Sequence, residues 1–274
     1  MRITVTGAAG KIGSVICRTL VAAGHDVLAT DVNYRKDLPV RLEVVSLLDR
    51  TACYRLVEGS DVLVHLGNHP NPIARAPAVV YGENGAMTAN VFQAAHEVGV
   101  RKWIYASSIQ AMRGTRQKGV QEGPSVLKYL PADGHLPPNP SNLYGLSKVA
   151  GEELLQYYAR EGGHDAVAIR FPWVADLGES PREKLPIHQP SPYLDELFSF
   201  LDLRDAAALV AAIIGSRVVG YRCYLPASHQ NLPQRPVGEL IREYFAGVPL
   251  KRPVEEIHSL IDTAEIERET GWRP

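Results

Sequence analysis

Short runs rich in β-branched and other apolar residues recur at 3–5, 27–29, 42–45, 62–66, 103–106 and 167–171. Each has the length and composition of a strand buried on both faces. Between them, 12–23, 51–57, 84–98 and 142–161 carry apolar residues at helical spacing, and Gly24, Gly59 and Gly99 stand where helices end. Strand alternating with helix predicts an α/β fold around a doubly wound parallel sheet. Past Phe171 the pattern loosens. Pro172, Pro181, Pro186, Pro190 and Pro192 break any long element there and predict a loop region, and a second loop is expected over 114–140. Helical spacing returns at 203–214, 237–245 and 263–270, with one more strand candidate at 221–225. The division expected is a sheet domain over 1–171 and, mainly over 172–274, a small mixed cap interleaved with it.

The 274 residues, 45% hydrophobic and 22% charged, suit one large core with an appendage better than two independent domains. A formal net charge of -1 supplies no bulk attraction for polyanions, so no nucleic acid partner is expected. The longest apolar run, 206–214, is too short to span a bilayer, and no apolar leader precedes the first strand, so no membrane partner is expected either. Cys17, Cys53 and Cys223 lie far apart and outside any ligand spacing. They read as reduced packing residues, which makes the cytoplasm the expected location.

Thr6-Gly7-Ala8-Ala9-Gly10-Lys11-Ile12-Gly13 joins the first strand to the first helix, where backbone amides can approach a pyrophosphate. Glycines alone often serve turns; this placement points to a dinucleotide. Asp31 ends the second strand, about 20 residues beyond the turn, where a carboxylate accepts from the adenosine ribose hydroxyls. This favours NAD over NADP, with Arg35 and Lys36 close enough in sequence to soften the preference. The bland alternative for Asp31 is a cap or a solvated charge.

Tyr144 and Lys148 stand four residues apart on one helix face. An ammonium beside a phenol, together with a positive nicotinamide ring, is expected to lower the phenol pKa so that it takes a proton from a substrate alcohol. Ser107 and Ser108 end a strand at the sheet edge that faces the ligand crevice, where a serine can hold the substrate oxygen. Either feature alone is common; their order after a dinucleotide turn is specific. His65 and His69 have no third partner in sequence, so no metal is expected.

These motifs resemble an extended short-chain dehydrogenase/reductase, the NAD-dependent epimerase/dehydratase family. The likeness covers essentially the whole chain: the glycine turn, Asp31, His65-Leu66-Gly67, Asn84 and Asn90, Ala106-Ser107-Ser108, Tyr144 with Lys148, Arg170, and the closing Thr270-Gly271-Trp272-Arg273-Pro274. It implies a Rossmann-type sheet with a C-terminal substrate cap. It also implies Tyr144 as general acid/base, Lys148 tuning it and holding the nicotinamide ribose, and Ser108 bonded to the reacting oxygen. The cofactor set so implied is Gly7, Ala9, Gly10, Lys11, Ile12, Gly13, Asp31, Leu47, Leu66, Gly67, Asn84, Tyr144, Lys148, Phe171 and Pro172. Asn68, His69, Ser108, Gln110 and Trp173 are the substrate contacts expected, with Arg113 and Arg182 available for a carboxylate.

Ser46 stands where the family often has an aspartate at the adenine. Ile109 and Gln110 follow Ser108 where family dehydratases have acids, which disfavours elimination, and no cysteine stands where carbanion epimerases carry one. Alcohol oxidation or ketone reduction remains. The short cap and the H-L-G and A-S-S motifs resemble uronate dehydrogenases, so the expected partner is a small carbohydrate-like substrate, a sugar or sugar acid. A nucleotide-sugar 4-epimerase with tightly bound NAD and a non-catalytic NAD(P)-binding sensor stay open as alternatives. Leu143, Leu146, Val149, Leu154 and Leu155 wrap more than one face of the Tyr144 helix, which points to a homodimer or to burial under the cap.

Overall fold

The computed structural model describes residues 1–112, 127–177 and 196–274. The apolar runs become strands β1 (Arg2–Thr6), β2 (Asp26–Asp31), β3 (Leu42–Val44), β4 (Val62–His65), β5 (Lys102–Ser108) and β6 (Asp165–Phe171). They pair in parallel, with a later strand, β9 (Tyr221–Tyr224), at the edge, in the order β3-β2-β1-β4-β5-β6-β9. Strand order reverses between β1 and β4, so a crevice opens there beyond the carboxyl ends. The glycine turn, Asp31, Leu66, Ser108 and Phe171 all stand at or just past those ends.

Helices α1 (Lys11–Ala22), α2 (Arg50–Val57), α3 (Pro77–Glu97) and α4 (Leu143–Gly162) cover the sheet. Gly24, Gly59 and Gly99, past the ends of the first three, take the positive φ of 80°, 70° and 84° expected of such positions. Helix α3 starts seven residues before the expected 84–98, because Pro77 presets the first turn while Gly82 and Gly85 blur the apolar period. On one sheet face Ile16, Cys17 and Leu20 of α1 share a core with Leu209, Val210 and Ile213 of α5 (Leu203–Gly215). Trp272 enters the same core and donates from Nε1 to the Asp205 carbonyl at 3.0 Å. On the other face Cys53, Phe92 and Leu155 of α2, α3 and α4 share a core with Trp103 of β5.

Between β6 and α5, where a loop was expected, β7 (Trp173–Ala175) and β8 (Phe200–Asp202) pair in parallel as a separate ribbon. Three residues each are too few to show a strand period. Pro181, Pro186, Pro190 and Pro192 lie outside the described residues. The chain then returns to the main sheet as β9 (Tyr221–Tyr224), beside β6, before α6 (Val237–Tyr244) and α7 (Ala264–Thr270). Residues 172–274 are thus divided among the sheet core, a second core and a small cluster of Ala175, Leu177, Phe200 and Leu232. A second core joins Leu130, Ala132 and Leu136 to Leu197, Phe198, Leu240, Phe245 and Ile261.

A buried ion pair ties α4 to β6. Arg170 donates from Nε and Nη2 to the two carboxylate oxygens of Glu152 at 2.9 and 2.7 Å, and from Nη1 to the Leu136 carbonyl at 2.7 Å. Ser107 adds a 2.5 Å bond to Glu152. Every donor and acceptor in this fork has a partner, the condition under which buried charge is tolerated.

Candidate functional site

The crevice is a cleft of about 900 Å³ that runs from the glycine turn to the end of β6. At its floor the turn closes so tightly that a Cβ on Gly13 would sit 2.2 Å from the Gly7 carbonyl oxygen. No side chain caps α1 at Gly10, and the first backbone bond into the helix is Ser14 to Gly10, so the amides of its first turn are left for an anion. Asp31 flanks the turn, its carboxylate accepting from the Ala9 amide at 3.1 Å and the Asn33 amide at 2.9 Å. Arg35 is tied to Asp37 at 2.8 Å and to the Ala9 carbonyl at 3.1 Å. Leu47 and Leu66 give apolar walls to the same cleft, and Asn90 braces the Leu47 carbonyl at 3.0 Å. Glycine floor, free amides, ribose-side carboxylate and apolar walls together fit a dinucleotide.

The H-L-G motif shapes this floor indirectly. His65 is fully buried, bonded through Nδ1 to Thr6 at 2.7 Å and through Nε2 to Thr88 at 3.3 Å. Thr6 in turn accepts from the Gly67 amide at 3.1 Å. Burial, with the Lys148 charge nearby, pushes the His65 pKa down to about 3, so the ring is neutral at physiological pH. His69 pairs instead with Glu83 at 2.6 Å. Among the described residues no group of three His, Cys, Asp or Glu side chains could hold a metal.

At the other end of the cleft, α4 begins at Asn142, whose side chain accepts from the Gly145 amide at 2.8 Å. A Cβ on Gly145 would lie 2.3 Å from the Gln110 carbonyl oxygen, so only glycine lets α4 come this close to the end of β5. That approach brings Tyr144 and Lys148 to Ser108. Lys148 donates to the Asn68 side chain and the Ala106 carbonyl, both at 2.8 Å, and its Nζ lies 5.7 Å from the Tyr144 ring centre. The Ser108 hydroxyl accepts from the Gln110 amide at 3.2 Å.

The expected lowering of the phenol pKa refers to a site that holds a positive nicotinamide ring. By itself, burial pushes Tyr144 up to about 12, with the Ser108 hydroxyl lowering it and Glu196 adding to the rise. Burial also pulls Lys148 down to about 7, against the Glu152 charge. Desolvation dominates both groups.

Among the described residues, all the expected cofactor and substrate contacts line the cleft except Asn84. Asn84 is fully buried, accepting from the His69 amide at 2.7 Å and donating to Ser147 at 3.1 Å. It lies behind the wall, fastening α3 to α4, because the early start of α3 places it well inside the helix. Arg113 and Arg182 lie outside the described residues. Glu196 also lines the cleft, and no motif marks it in sequence.

The family profile described as "NAD dependent epimerase/dehydratase family" matches residues 3–187. An L-arabinose 1-dehydrogenase (NAD(P)(+)) of Haloferax volcanii is 34% identical over 67% of this chain and 71% of its own length. A uronate dehydrogenase of Pseudomonas syringae pv. tomato is 30% identical over 62% of this chain and 58% of its own. The chain thus spans under two thirds of that second relative. Among solved structures, a UDP-glucose 4-epimerase of Thermotoga maritima superposes with a TM-score of 0.71 at 19% identity, covering 100% of this chain and 94% of that one. A mutated uronate dehydrogenase gives 0.66 at 23% identity, covering 100% and 88%. These neighbours share the fold, and the sequence matches carry the lineage: the chain belongs to the NAD-dependent epimerase/dehydratase family of extended short-chain dehydrogenase/reductases.

Proposed function

We propose that this protein is an NAD-dependent oxidoreductase acting at a secondary alcohol or ketone of a sugar or sugar acid, with Tyr144 as general acid/base. The observation that carries this reading is the meeting of Ser108, Tyr144 and Lys148 in the same cleft as the glycine turn and Asp31. Bound there, a nicotinamide dinucleotide would take up or supply the hydride. Tyr144 takes the alcohol proton at its phenolic oxygen in oxidation and returns it in reduction. Ser108 donates its hydroxyl hydrogen to the substrate oxygen and fixes the reacting carbon. Lys148, held by Asn68 and Ala106, keeps its amine beside the phenol, and a positive charge brought into the cleft would draw the Tyr144 pKa down.

Asp31 supports NAD over NADP, since a 2′-phosphate would meet its carboxylate while Arg35 is engaged with Asp37. Leu143 and Leu146 on α4, with Val79 and Tyr81 on α3, are exposed apolar side chains that support a homodimer. Free thiols at Cys17, Cys53 and Cys223 are in keeping with a reducing cytoplasm. No described helix is long and apolar enough to cross a membrane.

The test follows NADH absorbance while purified protein and NAD are offered aldoses, sugar acids and polyols. With a substrate in hand, Tyr144→Phe should lower turnover by roughly 10²–10⁴-fold, the usual loss for general acid/base catalysis, with NAD affinity nearly unchanged. Near-normal turnover in that variant would sink the mechanism.

A further inference from the structure

We propose that Asn68 is a positioning residue for the proposed reaction: its side-chain oxygen, aimed by the acceptors that hold its amide nitrogen, orients the Lys148 amine in the cleft. The inference rests on the oxidoreductase reading and assigns Asn68 to the lysine rather than to the substrate.

Asn68 follows His65-Leu66-Gly67 just past the end of β4. Its Nδ2 donates to the Gly67 carbonyl at 3.0 Å, the Thr88 hydroxyl at 3.3 Å and the Asn84 carbonyl at 3.5 Å. Carbonyls accept and never donate, so the nitrogen of the amide is fixed at this end and the oxygen at the other. That oxygen accepts from Lys148 Nζ at 2.8 Å and from the Tyr105 hydroxyl at 3.5 Å. The protein thus occupies both ends of the amide and leaves neither for a sugar hydroxyl.

The same bonds continue to the cofactor end of the cleft. Thr88 meets His65 Nε2 at 3.3 Å, His65 Nδ1 meets Thr6 at 2.7 Å, and Thr6 accepts from the Gly67 amide at 3.1 Å. Thr6, His65 and Thr88 are all buried, so no water competes for these partners. A continuous chain therefore runs from Lys148 through Asn68 to the strand end that opens into the glycine turn.

Lys148 is 3% exposed and lines the cleft. Its Nζ has two fixed acceptors, Asn68 and the Ala106 carbonyl, and stands over the Tyr105 ring, 5.0 Å from its centre. An ammonium has three N–H donors, so two held in this way leave the third for the cleft, whereas a neutral amine has two hydrogens, both engaged by the protein. Orientation and charge are therefore linked at this lysine. The titratable groups around it are Tyr105 on β5, Tyr144 and Glu152 on α4, and His65 on β4. Burial draws the amine down to about 7 while Glu152 opposes the fall, so near neutral pH one acceptor more or less shifts the balance.

The experiment follows the lysine Cε signals of the whole chain by carbon-13 NMR through a pH titration without substrate, the Lys148 signal being assigned by its loss in Lys148→Met. Asn68→Leu, which removes the acceptor at similar volume, should lower the Lys148 midpoint by about one pH unit, the size of a hydrogen bond to a charged group. Asn68→Asp, which sets a carboxylate beside the amine, should raise it. A merely structural role would not move the two variants in opposite directions. An Asn68→Leu midpoint within about 0.3 pH unit of wild type, or an Asn68→Asp midpoint that does not rise, overturns the proposal, and either variant decides alone if the other does not fold. With a substrate in hand, Asn68→Leu should lower kcat about tenfold and leave KM nearly unchanged; a raised KM at unchanged kcat would return Asn68 to the substrate contacts and overturn the proposal. Shifted midpoints without Tyr144-dependent oxidation of any sugar would instead sink the oxidoreductase reading, so the two failures are distinguishable.

Discussion

Replacing Arg170 by methionine removes a guanidinium that makes two bonds to Glu152 and one to the Leu136 carbonyl, all in a site about 4% exposed. Glu152 would be left as a buried carboxylate with the Ser107 hydroxyl as its remaining partner. Breaking one side of a buried pair costs about 3–5 kcal/mol, because the abandoned charge keeps its desolvation penalty. Against a typical stability of about 5–15 kcal/mol, this is a large share. At roughly 2–4 °C per kcal/mol for a protein of this size class, Tm should fall by about 6–20 °C. Removing both partners as Arg170→Met/Glu152→Met takes away the charge along with the partner, so most of the loss should be recovered. Urea denaturation at pH 7, followed through the buried Trp103 and Trp272, measures both variants and the coupling between them. A single variant destabilised by less than about 1 kcal/mol, or a double variant as unstable as the sum of the singles, would refute the reasoning.

Asp31→Ala should weaken NAD by about 10–100-fold, the loss expected for hydrogen bonds to a charged group, and narrow the gap to NADP; fluorescence titration checks it, and equal affinities in the wild type would show that Arg35 and Lys36 govern the pocket. His65 sets a pH dependence: its folded pKa of about 3 lies below the unfolded value near 6.5, so the unfolded chain gains a proton first. Stability should therefore fall as pH drops through that window, by up to about 1.4 kcal/mol per pH unit, and His65→Gln should reduce the slope of urea-derived stability between pH 6 and 4. An unchanged slope would mean that His65 is not held neutral.

The parts of the fold legible in sequence were those with a repeating signal. Buried parallel strands announce themselves by β-branched runs, and the glycine turn by its place between strand and helix, so the residues expected at both ends of the cleft line it. The apolar period understated α3, whose beginning is marked by Pro77, a start signal in plain view, so Asn84 stands inside that helix rather than at its head. The β7 and β8 ribbon was missed because three-residue strands have no period. Glu196 was missed for a different reason: its position depends on a left-handed turn at Leu197 and Phe198, residues that no turn rule favours there. The burial that raises the Tyr144 pKa is not legible in sequence, which shows the neighbouring ammonium and not the depth at which the phenol lies.

The route by which β9 reaches the sheet has a bearing on synthesis. The glycine turn, Asp31 and Ser108 belong to strands that emerge first from the ribosome, whereas the edge of β6 stays open until Tyr221–Tyr224 has been made. Leu130 and Ala132 wait longer still, for their bridges to Leu250 and Ile261. A nascent chain therefore carries an apolar, unpaired strand edge for as long as the intervening segment takes to translate, the kind of surface that invites pairing with a neighbour. The second core is assembled last, against a sheet whose other strands have already been made.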